Sequence, residues 1–205
     1  MPDRPSLAVF LPFIAATDGL KHVTRANRVV DGSRQEGVAE HVWHTSLLAL
    51  LFADAAPEGT DHDRVRDLLT THDLVEIHAG DTVIWDDIPD EDVAAREDAA
   101  AQRLFALLPE AHRTQFSGYW AEFSAQQTVE ARFARALDAL HPMLMSWGAD
   151  GVGHPNQDLT PSRVLARKRP MIEEFSALWD LAQDVVASAV ERGLIAPNDA
   201  ARHED

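Results

Sequence analysis

Cysteine is absent from all 205 residues. That excludes a disulfide framework and any thiolate metal site, and it fits a reducing cytoplasm as the expected location. Long hydrophobic runs are missing too. No stretch approaches the roughly 20 apolar residues that span a bilayer, so no membrane partner is expected. Leu7 to Ala16 is apolar but short, is interrupted by Pro12 and follows only Arg4, which reads as an N-terminal core helix rather than a secretory signal. Positive charge is scarce: 18 Lys and Arg against 34 Asp and Glu leave a formal charge of −16. Such a surface works against binding nucleic acid polymers or anionic membranes. No run of alternating apolar and polar residues marks a strand, and neither repeats nor low-complexity tracts occur.

What is present is apolar content of 45%, enough for a globular core, with no composition break to divide residues 1–205 into two domains. Helical periodicity dominates. Residues 39–56 carry Val42, Leu47, Leu48, Leu50, Leu51 and Phe52 without Gly or Pro until Pro57. Residues 62–79 place Val65, Leu68, Leu69 and Leu74-Val75 at helical spacing, with Gly80 as a stop. Further helices are expected over 90–108, 110–126 and 128–147, with a kink or early end at Pro142. The Gly- and Pro-rich segment 148–161 reads as a long loop. A short helix near 161–168 and a longer one over 171–193 complete C-terminal helices spanning about 161–194. The fold class is therefore all-α.

On this scaffold His41 falls in the first turn of the second helix, His72-Asp73 near the end of the third, and Asp138 midway along the penultimate long helix. If these four converge, two nitrogens and two oxygens form a set suited to a borderline divalent ion, as helical bundles build in their cores. If they do not, the chain is an acidic helical protein of unspecified purpose. Glu76 shares the helix face of His72 and Asp73, and Asp81 follows Gly80, so two further carboxylates are candidates for acid or base work. Against the acidic background, two basic islands stand out: Lys21, Arg25, Arg28 and Arg34, and then Arg163, Arg167, Lys168 and Arg169. Both are candidate anion sites.

Gly37-Val38-Ala39-Glu40-His41, His72-Asp73-Leu74-Val75-Glu76 with Ala79-Gly80-Asp81, and Ala136-Leu137-Asp138 together resemble the HD-domain metal-dependent phosphohydrolases, on the branch of the 5′-deoxynucleotidases. The resemblance runs from about 20 to about 145. It implies an HD-domain helical bundle with the metal site in its core, and one divalent ion (Mn, Co, Fe, Zn or Mg) held by His41, His72, Asp73 and Asp138. It also implies Glu76 and Asp81 at the reaction centre, and Arg25 on the substrate phosphate, with Lys21 one turn before it on the same face. The implied activity is hydrolysis of a small phosphate monoester such as a nucleoside 5′-monophosphate, by a chain that is often a homodimer. The deoxynucleotidases often carry a tryptophan beside that arginine; Ala26-Asn27 stand there instead. Two other readings are a nucleotide-binding HD protein with little catalysis and a di-iron HD oxygenase drawing on His78 and His112. His44 and His141 read as structural histidines. Trp43, Trp85, Trp120, Trp147 and Trp179 read as core or interface aromatics, with Trp85 a candidate for the pocket wall. Lys168 and Arg169 read as a solvated helix end within reach of the phosphate.

Overall fold

Asp61, Thr128 and Thr160 each stand one residue before a helix, and each side chain accepts a hydrogen bond from a backbone N–H of the first turn. These caps start three helices that share one apolar cluster of the core. The computed structural model describes residues 6–81, 90–148, 151–152 and 159–198. Among them the helices are α1 (Leu11–Thr17), α2 (Val38–Leu51), α3 (His62–Thr71), α4 (Glu76–Ala79), α5 (Asp90–Phe105), α6 (Glu110–Ala125), α7 (Val129–Trp147), α8 (Pro161–Ile172) and α9 (Ser176–Glu191). None of the described helices is long and apolar enough to cross a membrane.

The all-α architecture holds, with one exception to the expectation of no strands. Thr24–Arg28 (β1) and Gln35–Gly37 (β2) pair antiparallel, with Thr24 opposite Gly37 and Arg28 opposite Gln35. Thr-Arg-Ala-Asn-Arg does not alternate apolar with polar, because this hairpin lines a polar cavity instead of facing the core. Its turn carries the sequence signal: Asp31-Gly32, with Gly32 at φ +68°.

Two helix boundaries differ from expectation, and a third helix keeps its expected span without the early end. The helix expected over 62–79 tightens into a 3₁₀ turn at His72–Val75 between α3 and α4, and Gly80, at φ +77°, ends it. α7 continues through Pro142 to Trp147. Proline has no N–H to offer the carbonyl of Asp138 four residues back, but the tight packing of α7 against α2, α3, α8 and α9 outweighs that lost bond. α8 likewise passes Pro170 and ends at Ile172.

Two apolar clusters form the interior. One joins α3, α7, α8 and α9 through Leu68, Leu69, Phe133, Leu137, Leu140, Ile172 and Leu178. The other packs Phe13 and Leu20 against Val38, Leu74, Val75, Leu104 and Phe105. Leu137 is fully buried, and truncating such a leucine to alanine costs about 2–5 kcal/mol. Polar groups occupy the seam where α2, α7 and the 72–75 turn meet. Apolar side chains left exposed include Leu7, Leu11 and Ile14 near the N-terminus and Trp43, Leu50 and Leu51 on α2.

Candidate active site

The seam brings His41, His72, Asp73 and Asp138 together. Gly37 precedes α2, and Glu40, three residues on, accepts from the Gly37 N–H at 2.9 Å, which fixes the helix start and places His41 in its first turns. His41 is fully buried. Its Nε2 lies 3.0 Å from Asp138 Oδ1 and 3.5 Å from Asp73 Oδ2. His72 Nε2 lies 3.1 Å from Asp73 Oδ1 and 3.8 Å from Asp138 Oδ1. Donor atoms of His41, His72 and Asp73 fall within 4.8 Å of one another.

The fit of this set to a cation can be read from His72. Its Nδ1 is 2.8 Å from the carbonyl of Leu69. A carbonyl only accepts, so Nδ1 carries the proton and the neutral ring turns the lone pair of Nε2 toward two carboxylates. Acceptor then faces acceptor, and His72 Nε2 has no ordinary hydrogen-bond partner. Something positive must sit between them. In the metal-free protein that is a second proton: burial alone would push His72 down, but the Asp73 and Asp138 carboxylates outweigh it and pull it up to about 10. Burial opposes ionisation of Asp138, yet the hydrogen bonds from His41 and His72 hold it well below the usual carboxylate range. Two neutral imidazoles and two carboxylates suit a borderline divalent ion.

A cavity of about 820 Å³ opens from this cluster, within the size range of small-molecule sites. Arg25, on β1, enters it with NH1 3.4 Å from Asp73 Oδ2 and 3.9 Å from Asp81 Oδ1, while its Nε lies 3.5 Å from Glu36 Oε2. Asp81 Oδ2 accepts from the Ala26 N–H at 3.3 Å, and Ala26 and Asn27 line the same wall. Glu76 is buried, and its Oε2 has no hydrogen-bond partner among the described residues. Burial, then the Asp73 and Asp81 carboxylates, push it up to about 9. Asp81 is raised by burial as well, with Arg25 opposing. The lining also carries apolar and aromatic side chains, Trp120, Phe123, Met143 and Trp147, with the Phe123 ring 4.8 Å from that of His72.

Lys21 is not brought to this cavity. It stands exposed in the 3₁₀ turn Asp18–His22, paired with Asp18. The expected shared face required a helix through residue 25, whereas the chain is extended from Thr24. Arg34 is also spent elsewhere, bidentate on Glu40 at 2.7 Å from each oxygen. His78 and His112 are exposed and join no ligand group among the described residues. Trp85 lies outside the described residues. Trp43 is exposed, and Trp120 lines the cavity with Nε1 donating to Asp98 at 3.0 Å.

Glu36 is not marked by sequence reasoning, and His141 reads from sequence only as a structural histidine. Lys168, expected as a solvated helix end, is instead buried on the cavity wall, and burial lowers it to about 8. Val164, Lys168 and Ile172 are all buried at a spacing of four, so the apolar stripe of α8 carried the signal. Glu36 and His141 lie buried behind His41. Burial raises Glu36 to about 7 against the pull of Arg25, and burial, with His41 beside it, lowers His141 to about 2.

A model of the HD domain family matches residues 17–179. Among characterised proteins, the chain is 30% identical over 145 residues to the human 5′-deoxynucleotidase HDDC2, covering 70% of each chain. It is 31% identical over 137 residues to the Bos taurus protein of the same name, covering 66% of this chain and 65% of that one. Among solved structures it superposes on a predicted metal-dependent phosphohydrolase from Magnetospirillum magnetotacticum with a TM-score of 0.82, at 38% identity, over 96% of this chain and 100% of the other. It shares its fold with an HD-domain phosphohydrolase from Listeria innocua (TM-score 0.66, 14% identity, 89% and 90% covered).

Proposed function

The chain belongs to the HD domain family, and from that premise we propose that it is a metal-dependent phosphomonoesterase acting on nucleoside 5′-monophosphates. The observation that carries this reading is the His72 lone pair aimed at Asp73 and Asp138, a buried arrangement that a cation completes. In it His41, His72, Asp73 and Asp138 hold one divalent ion, for which Mn, Co, Fe, Zn and Mg are all eligible. Such an ion would acidify water and neutralise charge on the phosphoryl oxygens.

The remaining steps fall to side chains of this chain. Arg25 offers its guanidinium to the phosphate, where two parallel N–H donors match two oxygens. Lys168 offers a second positive charge from α8, and Lys21 has no part in the contact. As water adds to phosphorus and the P–O bond to the 5′ oxygen breaks, that oxygen needs a proton. Glu76 supplies it, because a carboxyl raised to about 9 is still protonated at neutral pH. Asp81, held against the Ala26 N–H, orients water or the sugar. The aromatic side chains of the lining suit a base. Ala26 gives little steric means of excluding a ribose 2′-hydroxyl, so both sugar types are expected to enter.

The test is phosphate release from a panel of deoxyribo- and ribonucleoside 5′-monophosphates with Mn, Co, Mg and Zn in turn. Release that disappears with chelator and returns with one of these ions is expected. Metal-loaded protein that binds the nucleotides and releases nothing from any of them overturns the proposal.

A further inference from the structure

Behind the candidate metal site, His41 and Arg25 are linked through two buried polar groups, His141 and Glu36, that the proposed reaction does not use. His41 Nδ1 lies 3.1 Å from His141 Nδ1. His141 Nε2 lies 3.6 Å from Glu36 Oε1, and Glu36 Oε2 lies 3.5 Å from Arg25 Nε. His41 and His141 are fully buried and Glu36 is 3% exposed. Among the described residues, His141 Nε2, Glu36 Oε2 and Arg25 Nε have no other partner at hydrogen-bond distance. A closure of about half an ångström brings His141 and Glu36 to ordinary N–H···O distance. The ring of His44 meets that of His141 edge-on at 4.9 Å and limits its rotation.

With His41 Nε2 turned to a metal ion, where it cannot donate to Asp138, the direction of this linkage follows from donor chemistry. A carboxylate only accepts, so a neutral His141 presents Nε2–H to Glu36 and keeps its lone pair on Nδ1. The proton between the two Nδ1 atoms therefore belongs to His41. That leaves His41 Nε2 as a lone pair on the side of Asp138 and Asp73, where a metal ligand needs it. We propose that Glu36 and His141 are positioning residues that set the tautomer and ring orientation of His41 as a metal ligand. The inference rests on the reading of His41 as a ligand. The donor atoms of Glu36, His41 and His141 also lie within 4.8 Å of one another, but the Arg25 guanidinium beside Glu36 repels a second cation there.

Metal affinity decides the matter without reference to turnover. Co²⁺ binding to the full chain is measured by competition with a chelator for the wild type, His141→Leu and His141→Gln. His141→Leu is expected to lose about 10–100-fold in affinity. His141→Gln is expected to stay close to wild type, because its carbonyl accepts from His41 and its amide donates toward Glu36. A role in packing alone would favour leucine over glutamine. Histidine ¹⁵N spectra of the Zn²⁺-loaded wild type should place protons on His41 Nδ1 and His141 Nε2, which keeps the test decisive even if His141→Leu does not fold. Leucine binding Co²⁺ as tightly as histidine, a proton on His141 Nδ1, or two Co²⁺ per chain would each overturn the proposal. Wild type that binds Co²⁺ in this way and hydrolyses nothing sinks the phosphomonoesterase reading and leaves the positioning role standing.

Discussion

Next to the cavity His41, His72, Asp73 and Asp138 face one another at 3.0 to 3.8 Å, a first wall whose His41 is fully buried behind the lining. Beside them Glu76 and Lys168 line the cavity as a second wall: both are buried, and Glu76 Oε2 meets no hydrogen-bonding partner among the described residues. The first wall is balanced without any ligand, because its carboxylates hold an extra proton on His72. The second wall is less well balanced: burial keeps the Glu76 carboxyl protonated and works against the charge of Lys168. A metal ion replaces a proton on the first wall, whereas only a substrate can supply what the second lacks. The first should therefore govern metal affinity, and the second the chemistry and the affinity for phosphate.

The largest effect should come from breaking the first wall. Asp73→Ala removes a carboxylate from both imidazoles, and we expect loss of stoichiometric metal by elemental analysis. Phosphate release should fall by more than the roughly 100-fold that outer partners of a metal site cost. Added metal should then no longer raise the melting temperature, since that shift arises only from binding to the native state. An Asp73→Ala protein that keeps one ion per chain would erase the distinction between the walls.

Next comes Glu76→Gln, which should keep the metal and lose about 10²–10⁴-fold in turnover, the usual share of a general acid. The wild-type rate should fall on the alkaline side as Glu76 gives up its proton, below the value of about 9 held in metal-free protein because the cation offsets Asp73, and the variant should lack that limb. Stability carries its own sign. Glu76 is raised from 4.5 in the unfolded chain to about 9 in the fold, so in metal-free protein its contribution is full below 4.5 and declines as pH rises toward 9. Urea midpoints of metal-free wild type and Glu76→Gln should therefore diverge in favour of the variant between pH 5 and 8. Parallel midpoints would mean that the carboxyl is solvated.

The two walls also differ in how far they could be read from sequence. His41, His72-Asp73 and Asp138 were legible because metal chemistry admits few residue types, and because each sits on a helix whose apolar spacing fixed its face. Glu76 and Asp81 followed from their distance to His72-Asp73. The rest needed the fold. Arg25 was matched through the family motif, yet its strand was missed, because β1 owes its extension to pairing with β2 and not to any pattern of its own. That same error put Lys21 on a shared face that an extended chain does not have. Glu36 and His141 come from β2 and α7, 105 positions apart by their numbers, and nothing local marks either as a partner of the other.

Arg25→Ala should cut kcat/KM for a nucleoside monophosphate about 10–100-fold, as expected for about 1.5–3 kcal/mol of charged hydrogen bonding. The metal should remain bound. A change in metal affinity as large as the change in kcat/KM would show that Arg25 serves the first wall through Asp73 and Glu36 rather than the second.

Lys168→Met gives the smallest effect and the one that separates affinity from stability. Methionine fills similar space without the charge, so phosphate should bind about tenfold more weakly, the loss of one charge-assisted contact. KM should rise with kcat little changed. Stability should move the other way. Lys168 is lowered from 10.5 in the unfolded chain to about 8 in the fold, so the unfolded chain binds more protons between those values, and wild-type stability rises with pH across that window. Below about 8 the buried ammonium is a burden, and the variant should melt higher than wild type at pH 7. Inorganic phosphate should then narrow that gap by stabilising the wild type more than the variant. If Lys168→Met melts lower than wild type at pH 7 without phosphate, the ammonium already has a partner, and the second wall is balanced after all.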